Sequence, residues 1–130
     1  MSCGAIRRRL ALGMAVLITS GLLAVAAPTD ARAAGASCAG RKVKTLSFST
    51  GSVQIYKRRG YVCAITLPKR PGTKRHMMVS VKVWAFRPVV DQGRYAYRAG
   101  PVTVHAGRRY VWVEGAVGRA SVDSGRWMRF

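Results

Sequence analysis

Acidic side chains are scarce in this chain: four Asp and Glu stand against 23 Lys and Arg in 130 residues. That scarcity excludes several chemistries at the outset. A glycosidase-like carboxylate pair would have to be assembled from residues distant in sequence. A metal site would draw on too few ligands, since there are two histidines and no C-x-x-C spacing. No G-x-S-x-G frame surrounds any serine, so His76, His105, Asp91 and Asp123 lack the local setting of a nucleophilic triad. The glycines of "GAVGRAS" follow no strand–helix unit and do not make a phosphate loop. Glu114, the only Glu, is expected to pair with one of the many arginines. Also lacking are a long 3.6-residue periodicity, internal repeats and any low-complexity linker. No catalytic residue, cofactor or metal is expected.

The one long apolar run, residues 10–27, follows the cationic start "MSCGAIRRR" and precedes "PTDARA". A cationic head, an apolar stretch and a small-x-small ending predict a secretory signal over residues 1–33, cleaved after Ala33. An 18-residue run also lies at the edge of what spans a bilayer, so a retained anchor is the alternative. A lipoprotein is disfavoured, because Cys38 follows "GAS" well past the apolar run. Residues 34–130 then form one secreted domain of 97 residues, in which 19 cations face Asp91, Glu114 and Asp123 for a net charge near +16.

Such a charge bears on association and solubility rather than on fold. It predicts an anionic partner outside the cell: wall polymer, extracellular nucleic acid or anionic membrane. The bland alternative is a solvated, aggregation-resistant surface with no dedicated partner.

Two cysteines, Cys38 and Cys63, remain after the leader, and export would place them in an oxidising compartment. A single disulfide is expected, closing a loop of 25 residues and contributing about 3 kcal/mol.

Short alternating runs bounded by Gly, Pro and basic turns recur along residues 34–130 and predict an all-β domain. The expected architecture is a small antiparallel β-sandwich or barrel of about six to eight short strands. Strands flank "STGS" and "KRRG"; the longest runs through "HMMVSVKVWAFRP", with Val79, Val81, Val83 and Ala85 on its core face. "RPVVDQGR" reads as a loop, Gly100-Pro101 as a break or start of a strand, and "GRASVDSGRWMRF" as a last edge strand.

Between two strands stands "PKRPGTKRH", whose prolines and glycine mark a hairpin loop and whose Lys69, Arg70, Lys74 and Arg75 offer donors to an anion. The turn "HAGRR" adds Arg108 and Arg109. If consecutive strands run up and down, an even number of crossings brings these two basic tips to one end, with "KRRG" at the other. Trp84, Phe86, Tyr95, Tyr97 and Trp112 alternate with aliphatic residues and lie near Lys82, Arg94 and Arg98. Large rings in so small a protein are expected to complete the core; the alternative is an exposed face that stacks bases or sugars while cations hold acidic groups.

Along "AGPVTVHAGRRYVWVEGAVGRASVDSGRW" the chain resembles small secreted actinobacterial proteins of the kind streptomycetes export, whose function is unassigned. The likeness rests on residues 100–104, the Ala106-Gly107 turn and the spacing of Gly115, Gly118, Ser121 and Ser124, and covers about half of residues 34–130. It implies export and a stapled β domain, and brings no catalytic residue. Its relatives carry a second cysteine pair near the places held here by Tyr110 and Phe130. A streptomycete-type protease inhibitor is similar in size, but that family uses two disulfides where this chain can form one. The sequence thus reads as a secreted, cationic, non-enzymatic β domain that associates with anionic extracellular polymer or surface. Alternatives are an antimicrobial or toxin-like effector, a hydrolase, or an inhibitor-like protein.

Overall fold

A computed structural model of the chain describes Ser37–Phe130; the predicted leader, residues 1–33, lies outside the described residues. Eight strands follow one another: β1 (Arg41–Phe48), β2 (Gly51–Arg58), β3 (Tyr61–Pro68), β4 (Arg75–Val83), β5 (Val89–Tyr95), β6 (Ala99–His105), β7 (Val111–Val117) and β8 (Ala120–Asp123). They form two four-stranded antiparallel sheets, ordered β1-β2-β3-β6 and β5-β4-β7-β8. The expected all-β sandwich is the fold of residues 37–130.

The alternation of side chains across a pleated strand builds the interior. Val53 and Ile55 from β2, Val62 and Ala64 from β3, Met77, Val79, Val81 and Val83 from β4, and Val111, Val113 and Val117 from β7 are all buried in one cluster. Valine suits such a surface because its branched side chain is stiff and packs well on the pleat. The sheets lie close together at Gly115, where an added Cβ would lie 2.1 Å from Val53 Cγ2 and 2.7 Å from Thr66 Oγ1. Thr66, fully buried, spends its hydroxyl across the gap, donating to the Met78 carbonyl at 2.9 Å.

Both seams between the sheets are tied. On one side Asp91 of β5 accepts hydrogen bonds from the Gly100 N–H of β6 at 2.8 Å and from the Tyr95 hydroxyl at 2.6 Å. On the other side the C-terminal tail folds back: Val111 and Met128 exchange backbone hydrogen bonds, and the Lys57 ammonium donates to the Phe130 carbonyl. Cys38 and Cys63 are joined in the expected disulfide, which fastens the residues ahead of β1 to the outer face of β3.

Several expectations need correction. "RPVVDQGR" is not a loop: residues 89–95 form β5, paired with β4 from Arg75↔Tyr95 to Val81↔Val89. "PKRPGTKRH" is not a hairpin, since β3 pairs with β2 and β6 while β4 pairs with β5 and β7; it is the arch that carries the chain from one sheet to the other. The longest strand ends at Val83, and Ala85 sits in the following turn at φ 71° rather than on the core face. Gly100-Pro101 stands at the start of β6, one of the two places expected for it, on a sheet edge where a register shift opposite Ala64 and Thr66 absorbs a proline that cannot donate.

Two stability predictions follow from this packing. Gly115→Ala should lower unfolding free energy by about 1–3 kcal/mol in denaturant titrations, because Val53 must give way; an unchanged midpoint would mean the sheets are looser than their contacts imply. Replacing both cysteines by serine should cost about 3 kcal/mol, with reduction of the wild type giving the same loss.

Candidate functional site

The few acids decide how charge is distributed. Asp91 stands opposite Val79, Glu114 opposite Ser80, and Asp123 opposite Glu114, so all three described acids lie across the middle of one sheet. Each accepts a hydrogen bond from a neutral donor: Asp91 as above, Glu114 from the Trp112 indole N–H at 3.0 Å, and Asp123 from the Gly125 N–H at 2.7 Å. Among the described residues Glu114 has this indole hydrogen bond and not the expected ion pair. Among the described residues, neither end of the sandwich carries an acid, and both ends carry many cations.

At one end, the loop pole, the arch of residues 69–74 is pinned at three points. Lys69 N–H donates to the Thr50 carbonyl and Gly72 N–H to the Ala96 carbonyl, each at 2.9 Å. The Arg75 guanidinium reaches back to the carbonyls of Arg70 at 2.8 Å and Thr73 at 3.3 Å. Lys69, Arg70 and Lys74 are left exposed, and Lys69, Arg70 and Arg75 line a hollow with Ser49 and Thr50. Arg94, paired in register with His76, belongs to the same pole, as do Arg98 and Arg119 in the neighbouring connections.

Arg108 and Arg109 are at the other end. Ala106 and Gly107 donate to the Gly60 carbonyl, which docks their turn beside Arg58 and Arg59 and not beside residues 69–75. The expected meeting of the two basic tips does not occur, and the unforeseen strand is the reason. With β5 counted, three strands separate the tips instead of two, and an odd number of crossings puts them at opposite poles.

This turn pole is also where the rings gather. Trp84 and Phe86 are each 55% exposed in the β4–β5 turn. Trp127 meets Trp84 edge to face at 5.0 Å and Trp112 at 5.8 Å, so the three tryptophans of the protein form one cluster outside the core. Lys82 stands 5.7 Å over Trp127, Arg109 5.2 Å over Phe86 and Arg129 5.3 Å over Tyr110, cation–π contacts worth about 0.5–1 kcal/mol each at exposed sites. Trp84, Arg109, Tyr110 and Trp127 line an apolar cleft. The rings thus do not complete the core as expected. Tyr95 departs in the opposite sense: it packs against the core at the β5–β6 seam, while Tyr97 is exposed at the loop pole. Among the described residues, the two non-glycine residues with positive φ, Arg59 and Ala85, both sit at the turn pole.

Trp127 and Tyr110 lie outside the aromatic set that the sequence suggests. Trp127 stands in a tail without periodicity and is positioned by the Val111–Met128 bridge, a pairing distant in sequence. The only local sign of it is an aromatic flanked by cations in "GRWMRF". His76 and His105 are surface residues; His105 packs against the Tyr61 ring at 4.9 Å. No family model, curated protein or solved structure matches this chain.

The hydrogen bond to the Asp91 carboxylate, with burial and charge acting the same way, holds the Tyr95 phenol above its ordinary value. A raised folded value means this contribution to stability is fully present below the ordinary tyrosine range and is lost as pH rises through the raised value. In a spectrophotometric alkaline titration, the component removed by Tyr95→Phe should lie above that range, and Asp91→Asn should draw it down. Indifference to Asp91→Asn would show the carboxylate is not its cause.

Proposed function

We propose that this chain is a secreted, non-enzymatic domain that binds anionic polymers or surfaces through cations gathered at two opposite poles. The observation that carries the reading is the segregation of charge: the described acids lie mid-sheet, bonded to neutral donors, and both poles are free of them. A merely soluble surface would intersperse both signs. Lysines and arginines offer donors only, which suits phosphate, sulfate and carboxylate groups. At the loop pole the hollow sets the Ser49 hydroxyl beside Lys69 and Arg70, while the Thr50 hydroxyl donates to the Val117 carbonyl at 2.7 Å and Arg75 braces the loop. The Cys38–Cys63 disulfide is compatible with an extracellular setting.

The poles are separated by strands of seven to nine residues, roughly 25 Å at about 3.3 Å per residue. That exceeds the Debye length of about 8–10 Å, so each pole acts on its own. Duplex DNA serves as a polyanion of known charge density, and affinity for it should fall steeply with added salt. Lys69→Ala/Arg70→Ala/Lys74→Ala at one pole and Arg108→Ala/Arg109→Ala at the other should each flatten the salt slope, by about one unit per engaged cation. A polymer long enough to span the molecule should show the two effects adding. Salt-insensitive binding, or no binding, would sink the proposal.

A further inference from the structure

The two poles carry different surfaces. Of the exposed large apolar side chains, Tyr61, Trp84, Phe86 and Tyr110 lie at the turn pole, Val89 and Val90 run back from it along β5, and Tyr97 alone is at the loop pole. Residues 84–90, "WAFRPVV", are exposed without interruption. A run of that composition on the surface marks a place where something apolar is covered.

We propose that residues 84–90, with Tyr110 and Arg109 beside them, dock the protein on a lipid bilayer that carries anionic phosphate headgroups. The inference rests on the polyanion reading and names the surface that the turn pole takes. Charge complementarity argues for it. Arg87 lies within the apolar run, Arg109 stands on the Phe86 ring, and Arg108 precedes it in the adjoining turn. Asp91, the next residue along β5, turns its carboxylate inward to Tyr95 and Gly100, so no acid is presented beside the run. Tryptophan and tyrosine favour the depth where headgroups meet acyl chains, and arginines near an anionic leaflet are drawn to it.

Unpaired bases suit this surface less well. They stack on flat, open rings, whereas Arg109 already covers Phe86, Trp84 and Trp127 meet edge to face, and Val89 and Val90 have no ring to offer. Hydrocarbon accepts all of these side chains without regard to their shape. The run is also held in place before any contact. Phe86 N–H bonds the Val83 carbonyl at 2.9 Å and Trp84 N–H bonds the Tyr110 carbonyl at 2.8 Å, so docking needs little ordering of the loop.

The test uses the full chain with vesicles of phosphatidylcholine alone and of equimolar phosphatidylcholine and phosphatidylglycerol, prepared with and without brominated acyl chains. All three tryptophans lie in the turn-pole cluster and none in residues 1–33, so their emission reports the pole and not the apolar run of the leader. Anionic vesicles should shift the emission to the blue, and brominated chains should quench it. Val89→Ser/Val90→Ser, which keeps every tryptophan and the Phe86 ring under Arg109 and changes only exposed side chains, should lose about tenfold or more in vesicle affinity and leave binding to duplex DNA unchanged. DNA binding without tryptophan quenching by any vesicle overturns this inference and leaves the polyanion reading standing. Vesicle binding without bromine quenching also overturns it, since charge alone would then hold the protein at the headgroups. Single-stranded oligonucleotide binding that depends on Trp84, with no vesicle response, would assign the rings to bases and overturn it as well. Absence of binding to both DNA and vesicles removes both proposals.

Discussion

The closeness of the two sheets at Gly115 governs much of what the surface looks like. With Val53 and Thr66 occupying the space a Cβ would need, the interior at that level admits only small or β-branched side chains. Valine, alanine and threonine fill most of it, with Ile55 and Met77 the largest side chains fully buried. Protein interiors pack as densely as organic crystals, so an indole cannot enter such a layer without opening it. The three tryptophans therefore stand outside, where they shelter one another edge to face and under cations. At the turn pole alternation sets the rings outward: Trp112 stands between the buried Val111 and Val113, and Trp84 lies in the turn beyond β4.

Charge had to be arranged within the same frame. Like charges crowded on one surface repel, and with so few acids the repulsion cannot be neutralised locally. Dividing the cations between two ends roughly 25 Å apart lets salt screen one end from the other. Within each end the chain uses covalent and polar ties. The disulfide reaches β3 next to the turn that carries Arg58 and Arg59, and Arg75 spends its guanidinium on carbonyls of its own loop. The acids serve as fasteners instead of counterions: Asp91 closes a seam and Glu114 fixes the Trp112 ring.

How much of this could be read in the sequence depended on whether periodicity and burial coincided. In β4 they do, since Met77, Val79, Val81 and Val83 alternate and are buried, and the strand was legible apart from its end. The two cysteines were legible as a staple because nothing else in the chain could use them. In β5 the coincidence fails: its inward positions hold Val89, Asp91, Gly93 and Tyr95, of which Val89 is left exposed at the sheet edge, and Val90 on the outer face is exposed as well. An edge strand of that kind looks like a loop. Missing it altered the parity of strand crossings, and with parity went the placement of Arg108 and Arg109 relative to residues 69–75. The ring cluster was half legible, because Trp84 and Trp112 lie on strand-patterned segments whereas Trp127 is delivered by a backbone bridge from the tail.

Under the reading proposed, the inequality of the poles matters more than the total charge. A pole of cations and hydroxyl groups holds a hydrated polyanion while remaining wet itself, and its affinity is set by counterions. A pole where arginines alternate with indole, phenyl and valine side chains gains by leaving water, and the same arginines serve as its rim. Because the arch of residues 69–74 and the turn of residues 106–110 face away from each other, occupying one does not obstruct the other. One small sandwich can therefore be held at a surface by its turn pole and still present its loop pole outward, an arrangement that the convergence of both basic tips would have forbidden.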